Sequence, residues 1–581
     1  MKTPRFLVLG LALFAAPGCT GVFDGVFTNG SGSWTEQQES RQAEHAAYLE
    51  ANDVAYTWFT DAPFSQEQGI PFIVMRLLPD VAPEIWGADA LKTAGLFDDA
   101  RQPASPVPRG WGWSGMIRPE AEIDSKVDVM STACGSCHLG RVRTGNNEFA
   151  YIDGGISAQF NLVDFRVKLN QTVESLARGA VGDAARLNQV TNAFMAALDR
   201  RVAENPNYFY KNFEWGGRTF DALYEANQVA LFRGNAQAVV GSFMVRTSQK
   251  IRAFQTLVTA NYPEFINEML AGFPGMADAA GINRSFTHIQ RVDAGAPGVP
   301  MPRNQSLVDI MAVWQQDKRA GGQWNGNIPH PMYRNLAAQL TLGFGATTDI
   351  RISALASDLL GGLPAPVYPF DVDIDLAARG KELYQANCEG CHQAGNNAVY
   401  DLGTDMLRAR NTTDASVAGA QASFVAFCGP ERTVVMPDGT QRKPCAAADG
   451  GAIAPENVFR PNTETEGYQA TALDGVWAQA PYLHGGSVPT LYHLLVPSLR
   501  PATFYKSRLD YDQTNVGFAW DSLGVDESGR PEGYLYRANA IGPLSNAGHD
   551  RDVPVGDSVW KLDWSDDLEG AAAIVEYMKT L

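Results

Sequence analysis

Cys388-Glu389-Gly390-Cys391-His392 repeats the pattern of an earlier stretch, Cys134-Gly135-Ser136-Cys137-His138. Both are C-x-x-C-H. Two thiols one helical turn apart can add to the two vinyl groups of one porphyrin, and the histidine beside the second thiol is then held under the ring as an axial ligand to iron. A thioredoxin-like redox pair or one half of a zinc site also uses paired cysteines. Neither needs the adjoining histidine, and both pairs have it. The pattern predicts two covalently bound haem c groups. One is held by Cys134, Cys137 and His138, the other by Cys388, Cys391 and His392.

Outward from the second motif, a helix over about Asp373 to Asn387 delivers Cys388. The chain ends in another helix, with Asp566 placed to cap it, Glu569 three residues on, and Leu568, Ala572, Val575 and Met578 on one apolar stripe. First and last helices of a cytochrome c domain cross and pack, so residues 361–581 read as a second cytochrome c domain with a large insertion. Gly361-Gly362-Leu363-Pro364-Ala365-Pro366 opens it as a linker. Residues 36–360 form the first haem c domain, with an N-terminal wrap and a helical insertion. Within it, 36–60 read as one helix, and 61–125, interrupted by repeated prolines from Pro63 to Pro108, as irregular chain. Val173–Val202 and Thr219–Met269 carry apolar residues at helical spacing, with breaks marked at Gly241 and Pro263. Gly295–Pro302 marks a turn. The expected class is mainly α: two c-type cytochrome domains with large loop-rich and helical insertions.

Composition sets limits on partners. The 581 residues carry a net charge of −18, which opposes a nucleic-acid-binding role and suits a small basic redox partner. Lys2, Arg5 and the apolar run Phe6–Ala16 make an export signal too short to span a bilayer. It ends in Ala16-Pro17-Gly18-Cys19, similar to the site where bacterial lipoproteins are cleaved and lipidated, although Ala16 stands where leucine is usual. Residues 1–19 are therefore a signal peptide of lipoprotein type, and 20–35 a flexible tether. The expected location is the periplasm or outer membrane of a Gram-negative bacterium, with free secretion as the alternative. Membrane contact would come only through a lipid on Cys19. Of seven cysteines, Cys428 and Cys445 remain, either as a disulfide or as two free buried thiols.

Tyr468 to Leu491, and above all Ala480-Pro481-Tyr482-Leu483-His484-Gly485-Gly486-Ser487, resembles the A-P-Y-[LMF]-H-x-G-S segment of bacterial di-haem cytochrome c peroxidases. More closely it is similar to the di-haem rubber oxygenase branch of that superfamily. Gly403-Thr404-Asp405, Arg500-Pro501 followed by Phe504, and Asn546-Ala547-Gly548-His549 agree with that branch. The resemblance implies an oxidoreductase in which one haem with two protein ligands handles electrons and the other activates dioxygen or peroxide. It also implies a bridging tryptophan, for which Trp314 and Trp324 are the candidates, Trp314 first; each could equally be a core residue.

For His484 the readings are a haem-edge contact, an axial ligand or packing. His493 is read as surface or core, and His45 is assigned nothing. His549 is the candidate second axial ligand of the Cys388/Cys391 haem, against a solvated loop histidine, with Met406 and His484 as rivals. His288 or His330 could cover the first haem. Calcium is a further candidate ion, with no residues placed for it. The distal aromatic of rubber oxygenases is not identifiable, so the substrate, a small molecule or a hydrophobic organic compound, does not carry over. Three functions compete: a dioxygen- or peroxide-activating enzyme acting on an organic substrate, a hydrogen peroxide-removing peroxidase, and a non-enzymatic di-haem electron carrier.

Overall fold

The computed structural model describes residues 33–261, 276–278, 307–460 and 467–581, apart from short stretches within those spans. The signal segment, Cys19, most of the tether, Pro263, His288 and Gly295–Pro302 lie outside the described residues. The described chain is mainly α, with short antiparallel strand pairs and one three-stranded sheet beside the helices.

Ser33 caps the first helix, Trp34–Ala51, through reciprocal bonds with Glu36. The single helix expected over 36–60 is two, because Asn52 leaves helical geometry before Asp53–Asp61 begins. The proline-rich stretch departs further from expectation. Phe72–Val81 is a helix whose Phe72, Ile73, Val74, Met75, Leu77 and Leu78 are all fully buried. Pro79 falls in its last turn. A proline costs a helix roughly 3 kcal/mol, whereas each of six buried apolar side chains contributes about 1.5–3 kcal/mol. Burial wins. The same stretch contributes Trp86, Trp111 and Trp113 to the core.

After the first motif come Leu162–Ala177, Ala184–Glu204 and Ala222–Asn261. The last is kinked at Asn235, not at Gly241, which stays helical. Tyr210 and Tyr224 donate to the buried carboxylate of Asp128 at 2.9 and 2.7 Å. Asp128 directly precedes the strand Val129–Thr132 that leads into Cys134. The helical insertion is thus tied to the first motif through a satisfied polar network.

Asp373 caps Ile374–Asn387, which packs on the closing helix Leu568–Lys579. The crossing is tight at Gly380, where an added Cβ would collide with the Ala573 carbonyl. The closing helix is capped by Asp567, which accepts from Gly570 N at 2.9 Å; exposed Asp566 pairs instead with Lys561. Residues 363–366 are no free linker. Leu363 and Ala365 are buried, and the carbonyls of Leu363 and Pro366 accept from Gln315 N and Trp477 Nε1. One apolar cluster runs from Trp58 and Trp113 through Trp314 and Trp477 to Ile574.

Cys428 and Cys445 form a disulfide, with both residues fully buried. Closing a 17-residue separation removes unfolded-state entropy. The double variant C428S/C445S is expected to lose about 3 kcal/mol of stability, read as a lower denaturant midpoint. An unchanged midpoint would show that the bridge constrains little.

Candidate functional site

The first motif forms one helical turn, Cys134–His138, after the strand Val129–Thr132. Its two middle residues are small for steric reasons. A Cβ on Gly135 would lie 2.6 Å from the Thr60 carbonyl oxygen. Ser136 donates through Oγ to the Gly110 carbonyl and accepts from Ala133 N. Arg109, itself buried, ties this wall together by pairing with Asp61 and bonding Thr60 Oγ1 at 2.6 Å. Burial pushes the Cys134 and Cys137 thiols up to about 12 and His138 down to about 4. The imidazole is therefore neutral at pH 7, as an iron ligand must be. The backbone of Gly155 and Met311 lies within hydrogen-bonding reach of the His138 ring. Two arginines, exposed Arg166 beside Cys137 and part-buried Arg319 beside His138, place positive potential here.

At the second motif, Cys388 N closes the preceding helix on Tyr384 O at 2.7 Å, and Cys391 N and His392 N both donate to Cys388 O. Gly390 packs against the Trp560 indole, leaving no room for a Cβ. Burial raises the Cys388 thiol to about 12. His392 Nδ1 lies 2.7 Å from the Thr471 carbonyl. A carbonyl can only accept, so Nδ1 carries the proton and the Nε2 lone pair is free for a metal.

His549 is brought to this motif from 157 positions further along the chain. Burial comes first and the nearby His392 second among the causes that depress its pKa to about 4. Its Nδ1 has no partner. The loop that carries it is pinned on one side by His549 N donating to Leu402 O at 3.0 Å. Gly548, at φ +112°, fits where a Cβ would lie 2.5 Å from Thr404 Cβ. Two free cysteines one turn apart, a neutral proximal histidine at each motif and a second neutral histidine near His392 fit c-type haem.

Trp314, 1% exposed, lies between the motifs. Its Nε1 donates to Asp474 O at 2.9 Å, and Asp474 follows Thr471 by three residues. Cβ atoms built on Gly475 and Gly155 would sit 2.9 and 3.2 Å from its ring. Val313 N donates to Gly154 O at 2.7 Å. Trp314 thus touches the segment beside His138 and the segment that anchors His392. Trp324 is half-buried and spends its N–H on Asp309 O.

His484 is buried and stacks on Tyr468 with ring centroids 4.3 Å apart. Its Nδ1 is 3.4 Å from Thr404 Oγ1 and its Nε2 3.8 Å from Asp405 Oδ1. It therefore backs the strip of chain that receives Gly548. His493 is core, bonded to Thr490 Oγ1 and edge-on to Trp520. His330 lies against Tyr333, and Met406 directly precedes the short helix Leu407–Arg410 without a capping bond from its side chain. His45 joins a network with Asp153, Tyr56 and Arg101. Sequence reading missed Thr471 and Leu402 because they act through backbone carbonyls, which carry no side-chain signature. Among the described residues no cluster of His, Cys, Asp and Glu suited to a metal ion occurs.

A family model described as RoxA-like, cytochrome c-like matches residues 467–505, which include Thr471, Asp474 and His484. A Y4iN-like domain model matches 54–138, ending on the histidine of the first motif. Relatives in Sinorhizobium fredii are the uncharacterized proteins y4iM, y4iN and y4iJ. The chain is 32% identical to y4iM over 409 residues, which is 64% of this chain and 92% of that protein. It is 36% identical to y4iN over 139 residues, or 22% of this chain and 65% of y4iN. With y4iJ it shares 27% identity over 46% of this chain, spanning about half of that relative (54%). The chain belongs to the family of y4iM, and its RoxA-like, cytochrome c-like domain marks it as a c-type cytochrome with covalently bound haem c.

Proposed function

We propose that the protein is an exported di-haem oxidoreductase, with one haem at each C-x-x-C-H. In this reading His392 and His549 would both hold the iron of the second haem, which would supply electron transfer. His138 would hold the first haem, whose iron would supply binding of dioxygen or peroxide in the manner of rubber oxygenases or peroxidases. Haem iron supplies electron storage at one site and small-ligand binding at the other. The observation that carries the reading is the convergence of His392 and His549, two neutral imidazoles from distant parts of the chain. At the first motif the described neighbours are instead backbone and the cations Arg166 and Arg319. Positive potential there favours an anionic or electron-rich ligand such as reduced oxygen. Trp314 is the chain's own link between the two sites. The Cys428–Cys445 disulfide supports export, because such bonds persist in oxidising compartments.

Mass spectrometry of the mature protein, with absorption and spin-resonance spectra before and after cyanide, tests this. The expected result is two haem additions, one haem low-spin throughout and one perturbed by cyanide. A single addition sinks the di-haem reading. Two low-spin haems in every state would make the protein an electron carrier.

A further inference from the structure

We infer that Arg500 is a positioning residue for the second haem: it holds the loop that presents His549 without meeting the iron itself. The inference rests on His549 being the axial ligand proposed above.

Arg500 follows the five-residue helix Leu491–Leu495, whose last carbonyls have no helical N–H to accept from. Its Nε donates to His493 O at 2.9 Å and its Nη2 to Leu494 O at 2.8 Å. The other side of the same guanidinium reaches the His549 loop. Nη1 donates to Asn546 O at 2.7 Å and to Gly548 O at 2.9 Å, and Nη2 lies 3.3 Å from His549 O. Five backbone carbonyls from two segments converge on one planar fork. Asp550 and Asp563 act on the guanidinium only through their fields, and no described carboxylate pairs with it at salt-bridge distance. Its bonding capacity therefore goes to carbonyls.

The loop needs this support. His549 sits at φ +53°, a left-handed conformation that a non-glycine residue rarely keeps unaided. Thr404 and Leu402 close the loop from the opposite side. Held between that strip and the Arg500 fork, the backbone on both sides of His549 has one path. An ammonium offers three donors from a single point and cannot span both carbonyl sets as the guanidinium does. The three short stretches Gly403-Thr404-Asp405, Arg500-Pro501 and Asn546-Ala547-Gly548-His549 thus meet as one structural unit.

The test uses the full haem-loaded chain carrying R500K, R500Q, G548A or H549A. Four quantities are read: haems per chain, far-ultraviolet helical signal, spin state, and ferrous carbon monoxide binding. R500K and R500Q are expected to keep the wild-type haem content and helical signal. They lose the low-spin signal of the second haem, bind up to one further equivalent of carbon monoxide per chain, and regain low spin when imidazole is added. G548A should do the same by pushing the loop off Thr404. If R500K fails to accumulate, R500Q decides, because it keeps a neutral donor without burying an ammonium. Low spin retained in the folded Arg500 variant but lost in H549A would overturn the role of Arg500 and leave the His549 ligation standing. Low spin retained in H549A would overturn the ligation itself.

Discussion

A variant with serine at positions 388 and 391 is expected to carry one covalent haem fewer than the wild type and to keep its response to cyanide and carbon monoxide. Serine at 134 and 137 is expected to remove the other haem and, with it, that response. Thioether attachment needs both sulfurs of a motif within one turn, so replacing a pair abolishes the bond rather than weakening it. The asymmetry in ligand response follows from the proposed ligation by His549. His549 can close one site, while His138 is accompanied by the backbone of Gly155 and Met311. The mass of each mature variant gives the stoichiometry, and its spectrum with added ligand gives the roles. A response that survives the 134/137 change and vanishes with the 388/391 change would reverse the assignment of the two sites.

What could be read from the sequence was what side chains announce locally. The two motifs, the helix ending at Cys388, the closing helix and the Cys428–Cys445 pair all carry short-range signatures. Prolines misled over 61–125, because the sequence shows where a helix is weakened but not that six side chains of Phe72–Val81 are wholly buried. The cap on the closing helix moved by one residue, to Asp567, since either aspartate could serve and only the geometry of Gly570 N chooses between them. Gly361–Pro366 has the composition of a linker, yet the carbonyls of Leu363 and Pro366 are taken by Gln315 and Trp477. Long-range backbone contacts stayed hidden throughout: Thr471 on His392, Leu402 on His549, and the Arg500 fork across two segments. Each is an acceptor any residue type could supply, so no residue type signals it.

Replacing Trp314 by alanine is expected to have two separable effects. Its indole is fully enclosed, and a tryptophan-to-alanine change at such a site costs about 3–5 kcal/mol. Phenylalanine keeps most of the apolar contact and forfeits the bond from Nε1 to Asp474 O, worth about 1 kcal/mol. Stability alone should therefore rank the wild type above W314F, and W314F above W314A. Electron exchange between the sites follows a different logic. Thr471 holds His392, Asp474 three residues on receives the indole N–H, and the far edge of the ring lies against Gly155 beside His138. Glycine at 155 and at 475 is what lets the ring fit, since a Cβ at either would press on it. Removing the ring leaves a gap in that path, and exchange in W314A should slow by about tenfold or more, each factor of ten being about 1.4 kcal/mol of barrier. W314F, which refills part of the gap with an aromatic, should fall between. Rapid reduction of one haem followed by spectral re-equilibration measures the rate in folded protein with both haems attached. Wild-type exchange in W314A under those conditions would make Trp314 a core residue and nothing more.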